Sequence, residues 1–196
     1  MEVKSFLNPS PHLLLENVFT DDQLTQIWTE LDFLHPTLLP GSETGSAKSD
    51  DGVDLKRNAG RYIYQTYADP SISHIRNHLT TVAFKSGLAD HLPHSWLKAS
   101  YNETNWDTIM LSYYKDGDYY KPHVDTAVFT LLVWLWKEPK QFSGGNLHFT
   151  ESDTLIECKN NCGILFMSGE RHHVDELKLD QEGFGRYCLT SFSGIK

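Results

Sequence analysis

The spacing of apolar residues changes character near Trp96. Before it, two stretches repeat at helical intervals. In "FTDDQLTQIWTELDFL", Leu24, Ile27, Trp28, Leu31 and Leu34 fall on one face, and Thr20 with Gln23 three residues on reads as a capping box. From Pro70 to about Leu92, Ile72, Ile75, Leu79, Val82, Ala83 and Leu88 share a side in the same way. Beyond Trp96 come "WDTIMLSYY", "YYKPHVD", "FTLLVWLW", "GGNLHFT", "TLIECK", "CGILFMS", "HHVDEL" and "GRYCLTSFSG", with turn signals between them. Eight short strands is the count of a double-sheet jelly roll. The pattern predicts a mainly β fold with flanking N-terminal helices, in one domain over 1–196. Residues 1–96 supply helical support and a flap, and 97–196 the jelly-roll core.

The segment from Pro40 to Gly60, "PGSETGSAKSDDGVDLKRNAG", has no apolar periodicity and reads as a long loop or mobile flap. Arg57 and Arg61 stand close to where it would close over a substrate, and "RYIYQTY" after it alternates as a strand does. The net charge of −9 argues against a nucleic-acid partner, because phosphates are held mainly by Lys and Arg. The longest apolar run, Ala127 to Trp136, is about half of a bilayer crossing. "MEVKSFLNPS" lacks the apolar stretch of a signal peptide, so a soluble, cytoplasmic protein is expected. Cys158, Cys162 and Cys188 are too few and too odd for a disulfide framework, and no further zinc ligands stand beside the first two. His74 and His78, one helical turn apart, lack the Glu of a zinc-protease motif and read as a solvated helix face.

The chemistry gathers around "KPHVD". Residues i and i+2 of a strand project to the same side, so His123 and Asp125 could offer a nitrogen and a carboxylate oxygen to one divalent metal. A third ligand is available in "ERHHVDEL". Alternation groups His172 with Val174 and His173 with Asp175, which favours His172, with His173 as the alternative register. Two His and one carboxylate leave coordination positions open, as in non-haem Fe(II) oxygenases; zinc hydrolases can use the same set with a general base, for which Glu170 and Asp175 are the neighbours. Arg186, Cys188 and Thr190 share a strand face, and a guanidinium there can hold a small carboxylate by paired hydrogen bonds. An open metal site with an anchored carboxylate nearby suits a 2-oxo acid.

Taken in order, "LSYYKDGDYYKPHVD", "TLLVWL", "SGGNLHF", "ILFMSGERHHV" and "GRYCLTSF" resemble the 2-oxoglutarate- and Fe(II)-dependent dioxygenases, in particular their prolyl 4-hydroxylase-like branch. The N-terminal "LLLENVFTDDQLTQIW" looks like the helix that precedes that core. The resemblance implies a double-stranded β-helix. It implies that His123, Asp125 and His172 bind Fe(II), and that Arg186 pairs with the distal carboxylate of 2-oxoglutarate. Tyr113 would reach that carboxylate with its hydroxyl, and Thr190 and Trp134 would lie close to the cosubstrate. Cys188 stands where many relatives carry a smaller residue, and the loop around "KLDQEGFG" looks extended. Tyr119 and Trp136 are expected in the core.

The activity so implied is hydroxylation of a C–H bond with O2, giving succinate and CO2, with ascorbate as a candidate reductant. A prolyl or other residue of a polypeptide is the expected substrate. A free amino acid or small metabolite is the alternative, and a cupin-like metal-binding module without oxygenase chemistry is the competing class.

Overall fold

Strand Arg186–Gly194 organises the fold. It pairs antiparallel with Trp106–Tyr114 on one side and Phe129–Leu135 on the other. The computed structural model describes residues 1–44, 48–49, 51–180 and 184–196. Its larger sheet runs Glu2–Phe6, His12–Glu16, Cys162–Met167, Phe129–Leu135, Arg186–Gly194, Trp106–Tyr114, Ala59–Tyr62, Leu39–Pro40 from edge to edge. A smaller sheet runs Thr154–Ile156, Leu147–Phe149, His172–Val174, Tyr119–His123, Lys56–Arg57. All eight strands expected beyond Trp96 are present.

Alternation along the central strands sorts side chains into two layers. Tyr187, Leu189, Leu111, Ile109, Leu131 and Val133 join the helix-side core. Cys188, Tyr114, Leu132 and Trp134 turn the other way, toward Leu147, Phe149 and Val174 of the smaller sheet. That second layer contains the cavity described below. Helices α1 (Asp21–Leu34), α2 (His74–Lys85) and α3 (Ser95–Asn102) supply the first layer with Ile27, Leu31, Leu34, Ile75, Leu79 and Leu97. Among the described residues no helix is long and apolar enough to cross a membrane.

The capping box of α1 is formed as its sequence predicts, with Thr20 accepting from the Gln23 amide and Gln23 returning a bond to Thr20. Four differences concern the N-terminal half. "RYIYQTY", expected as a strand, is strand only as far as Tyr62 and then turns as a 3₁₀ helix over Ile63–Gln65. "HLLLE" is a strand rather than an approach to the helix; it joins Glu2–Phe6 to Cys162–Met167. Leu13 and Leu15 are fully buried and Leu14 packs toward the other layer, so an apolar run covered on both faces shows no period. The helix expected over Pro70 to Leu92 is confined to α2, with short 3₁₀ turns on either side. The polar segment expected as a flap ends in strand structure: Lys56 and Arg57 pair with Tyr120 and Tyr119. The parts of that segment at 45–47 and 50, and 181–183 of the loop around "KLDQEGFG", lie outside the described residues.

Glu30 ties α1 to α2 from inside. It is buried and accepts from the Ser73 hydroxyl at 2.7 Å, the Ile75 amide at 2.8 Å and the Tyr67 hydroxyl at 2.9 Å. A Glu30→Ala protein leaves three donors without their acceptor. It should lose about 3 kcal/mol of stability in urea unfolding; a loss below the error of the measurement would mean that water replaces the carboxylate.

Candidate active site

His123 ends one strand of the smaller sheet and His172 begins its neighbour, directly opposite in register. A register irregularity follows between His172 and Val174. It leaves His172 3% exposed and turned into the cavity, while His173 stacks on His148 at 4.6 Å and bonds Thr150 instead. Asp125 lies two residues beyond its strand and is fixed by its amide, which donates to the Ser168 carbonyl at 2.9 Å.

The three side chains converge. His123 Nε2 stands 3.7 Å from Asp125 Oδ1, and His172 Nε2 stands 3.6 Å from Asp125 Oδ2. These gaps exceed hydrogen-bond length and leave room for an ion between the groups. Each imidazole uses Nδ1 on a main-chain carbonyl, His123 on Lys121 at 2.9 Å and His172 on Glu170 at 2.8 Å. That fixes the tautomer in which both Nε2 lone pairs face the cluster. Burial, reinforced by the nearby His172, pulls His123 down to about 3, so its imidazole is neutral and ready to ligate. Burial also raises the Asp125 carboxyl above its usual range, against the opposing pull of His172 and of the Thr130 hydrogen bond. Among the described residues this is the group of His, Cys, Asp or Glu side chains spaced to hold a metal. Cys158, Cys162, His74 and His78 join no such group there.

Thr130 was not legible as part of this site. Fully buried, it donates to Asp125 Oδ2 at 2.7 Å and meets the Ser168 hydroxyl at 2.8 Å. Replacing it by the near-isosteric Val frees the carboxylate to turn. Thr130→Val should weaken Mn(II) affinity by roughly 10–100-fold. An unchanged affinity in a Mn(II) titration would remove Thr130 from the metal's support.

Arg186, 1% exposed, lines the same cavity from the larger sheet. Its Nε and Nη2 donate to the Gly145 carbonyl at 3.0 and 2.5 Å, and its guanidinium carbon lies 4.5 Å from the Tyr114 ring centre. Nη1 has no hydrogen-bond partner among the described residues. A buried charged donor left free is costly, and a carboxylate is its natural complement. The glycines of "SGGNLHF" make this arrangement: Gly145 has φ +68°, and a Cβ there would stand 3.1 Å from Arg186 Nε. The cavity of about 780 Å³ is lined by His123, Asp125, His172, Arg186, Trp134 and Thr190 together.

Tyr113 requires a correction. It faces the helix side, 4.7 Å from the His35 ring and 4.8 Å from the Tyr187 ring, and its hydroxyl accepts from the Gly185 amide at 2.9 Å. Strand alternation is the reason: Arg186 is directly opposite Tyr114, so Tyr114 shares its side and Tyr113 cannot. Tyr114 and Ser112 line the cavity in its place. Tyr119 is half-buried rather than in the core, where Trp136 does lie. Tyr120, unassigned from sequence, stacks on His123 at 3.5 Å. Arg57 and Arg61 do not reach the cavity; Arg57 sits by Asp118, and Arg61 bonds Thr37 and Thr66. Glu170 and Asp175 are occupied by Ser10 and by Asn146 with His148, outside the cavity lining.

Residues 109–194 match the family model of the 2OG-Fe(II) oxygenase superfamily. No curated protein sequence matches the chain. Among solved structures, a Pseudomonas putida prolyl-4-hydroxylase is similar with a TM-score of 0.64 at 14% identity, over 97% of this chain and 95% of that one. A viral collagen prolyl hydroxylase from Paramecium Bursaria Chlorella virus-1 is similar with a TM-score of 0.60 at 13% identity, over 100% and 96%. An oxidoreductase of the 2OG-Fe(II) oxygenase family from Burkholderia pseudomallei gives 0.58 at 14%, over 93% and 84%. At these identities the three establish a shared fold, the jelly roll of the oxygenases. The matched residues 109–194, which carry the His–Asp–His cluster and Arg186, are thus similar to the 2OG-Fe(II) oxygenase superfamily.

Proposed function

We propose that the protein is a 2-oxoglutarate- and Fe(II)-dependent dioxygenase that hydroxylates a C–H bond of an amino-acid-derived substrate. One observation carries this reading: buried Arg186, whose Nη1 has no hydrogen-bond partner among the described residues, lines the same cavity as a three-ligand site with positions to spare. His123, Asp125 and His172 would hold Fe(II), and Arg186 the distal carboxylate of 2-oxoglutarate. When bound, Fe(II), 2-oxoglutarate and O2 supply the oxidation: one oxygen atom goes to succinate as CO2 leaves, and the other becomes the hydroxyl of the product. The chain's own residues position these partners. The carbonyls of Lys121 and Glu170 orient the imidazoles, Thr130 orients the carboxylate, and Trp134 with Leu132 walls the space from bulk water. Ascorbate would serve as an external reductant. The prolyl hydroxylases among the similar structures make a prolyl residue the first substrate to test.

The test is succinate formation by anaerobically purified protein given Fe(II), 2-oxoglutarate and O2, with and without proline-containing peptides. Succinate that disappears in the His123→Ala protein supports the assignment. Absence of both succinate and 2-oxoglutarate binding would move the protein to the metal-binding modules. The hydrolase reading loses support because Glu170 and Asp175, its candidate bases, face away from the cluster.

A further inference from the structure

Lys56 is a buried cation in this cavity to which the proposed reaction gives no task. It is 6% exposed, on the edge strand that pairs with Tyr120. Its ammonium donates to the Thr44 carbonyl at 2.8 Å and lies 5.6 Å from the centre of the Tyr120 ring, whose stacking partner at 3.5 Å is the ring of His123. The ammonium therefore stands one aromatic ring away from the metal cluster. It has three N–H bonds to give, and among the described residues the Thr44 carbonyl takes one. A lysine so buried is unfavourable without an anion. Burial pulls it down to about 8, with Asp125 acting in the opposite sense, and the charged form still prevails at pH 7. Asp125 itself is committed to the metal.

In the dioxygenase reading, on which this step rests, both carboxylates of 2-oxoglutarate are accounted for, one by Arg186 and one by Fe(II). We infer that Lys56 receives a carboxylate of the substrate, which is therefore a small carboxylic or amino acid rather than a neutral internal stretch of polypeptide. The salt bridge would form beside the Tyr120 ring and hold the reacting C–H bond on the metal's side of it.

Acetate and its neutral isostere acetamide are the probes, and Mn(II) replaces Fe(II) so that no turnover occurs. With the full chain saturated by Mn(II) and 2-oxoglutarate, proton relaxation of each probe reports its approach to the metal. Acetate should bind and acetamide should not. Lys56→Met should weaken acetate at least tenfold while leaving 2-oxoglutarate affinity within a factor of about two, and Lys56→Arg should restore part of the binding. If Lys56→Met does not fold, Lys56→Gln serves the same comparison. Equal acetate affinity in wild type and variant, or equal binding of acetamide, overturns the inference. So does a parallel loss of 2-oxoglutarate, which would make Lys56 a cosubstrate ligand. A wild-type protein that binds no 2-oxoglutarate fails at an earlier readout and overturns the dioxygenase reading instead.

Discussion

Asp125→Ala should reduce succinate formation to below about one-thousandth of wild type, the equivalent of a little over 4 kcal/mol. The carboxylate stands between two imidazole nitrogens at 3.6 and 3.7 Å, so its removal takes away the charged corner of the site and leaves two neutral ligands. The same position carries a stability effect of opposite sign. Burial raises the carboxyl above its usual range, so the ionised form is disfavoured by the fold. That cost is present at neutral pH and is relieved as pH falls through the folded-state value. Asp125→Asn removes the charge and keeps the shape. In the presence of a chelator it should melt at a higher temperature than wild type, while failing to take up Mn(II). A lower melting temperature would show that the carboxylate stabilises the metal-free fold through Thr130 and Ser168.

Arg186→Met should weaken 2-oxoglutarate binding by about a hundredfold or more, the range seen when one partner of a buried charge pair is truncated. Met fills much of the volume and preserves contact with the Tyr114 ring, so the fold should persist. Mn(II) affinity, set by His123, Asp125 and His172, should hold. The measurement is 2-oxoglutarate titration of the Mn(II)-loaded protein. Equal affinity in variant and wild type would reassign Arg186 to a structural role, bracing the Gly145 turn through the two bonds it already makes.

The catalytic half was readable because its strands obey simple alternation and its turn residues punctuate them. "GRYCLTSF" announces both its layers, and grouping His172 with Val174 gives the same choice of histidine as the structure places in the cavity. Tyr113 shows where such reading stops. The family resemblance pointed to it, whereas pairing with Arg186 selects Tyr114, and pairing is a property of two strands rather than one. Lys56 was hidden for a similar reason. It sits in a polar stretch without period, and its burial comes from a neighbour strand that begins over sixty residues later. Leu13 to Leu15 gave no strand signal because both of their faces are covered.

His123 and His172 belong to the smaller sheet, while Arg186 belongs to the larger one. In the proposed complex, a dianion held by the metal at one end and by the guanidinium at the other becomes a strut across the gap between the sheets. Binding of the cosubstrate would therefore tie the two sheets to each other at the one place where their chemistry meets.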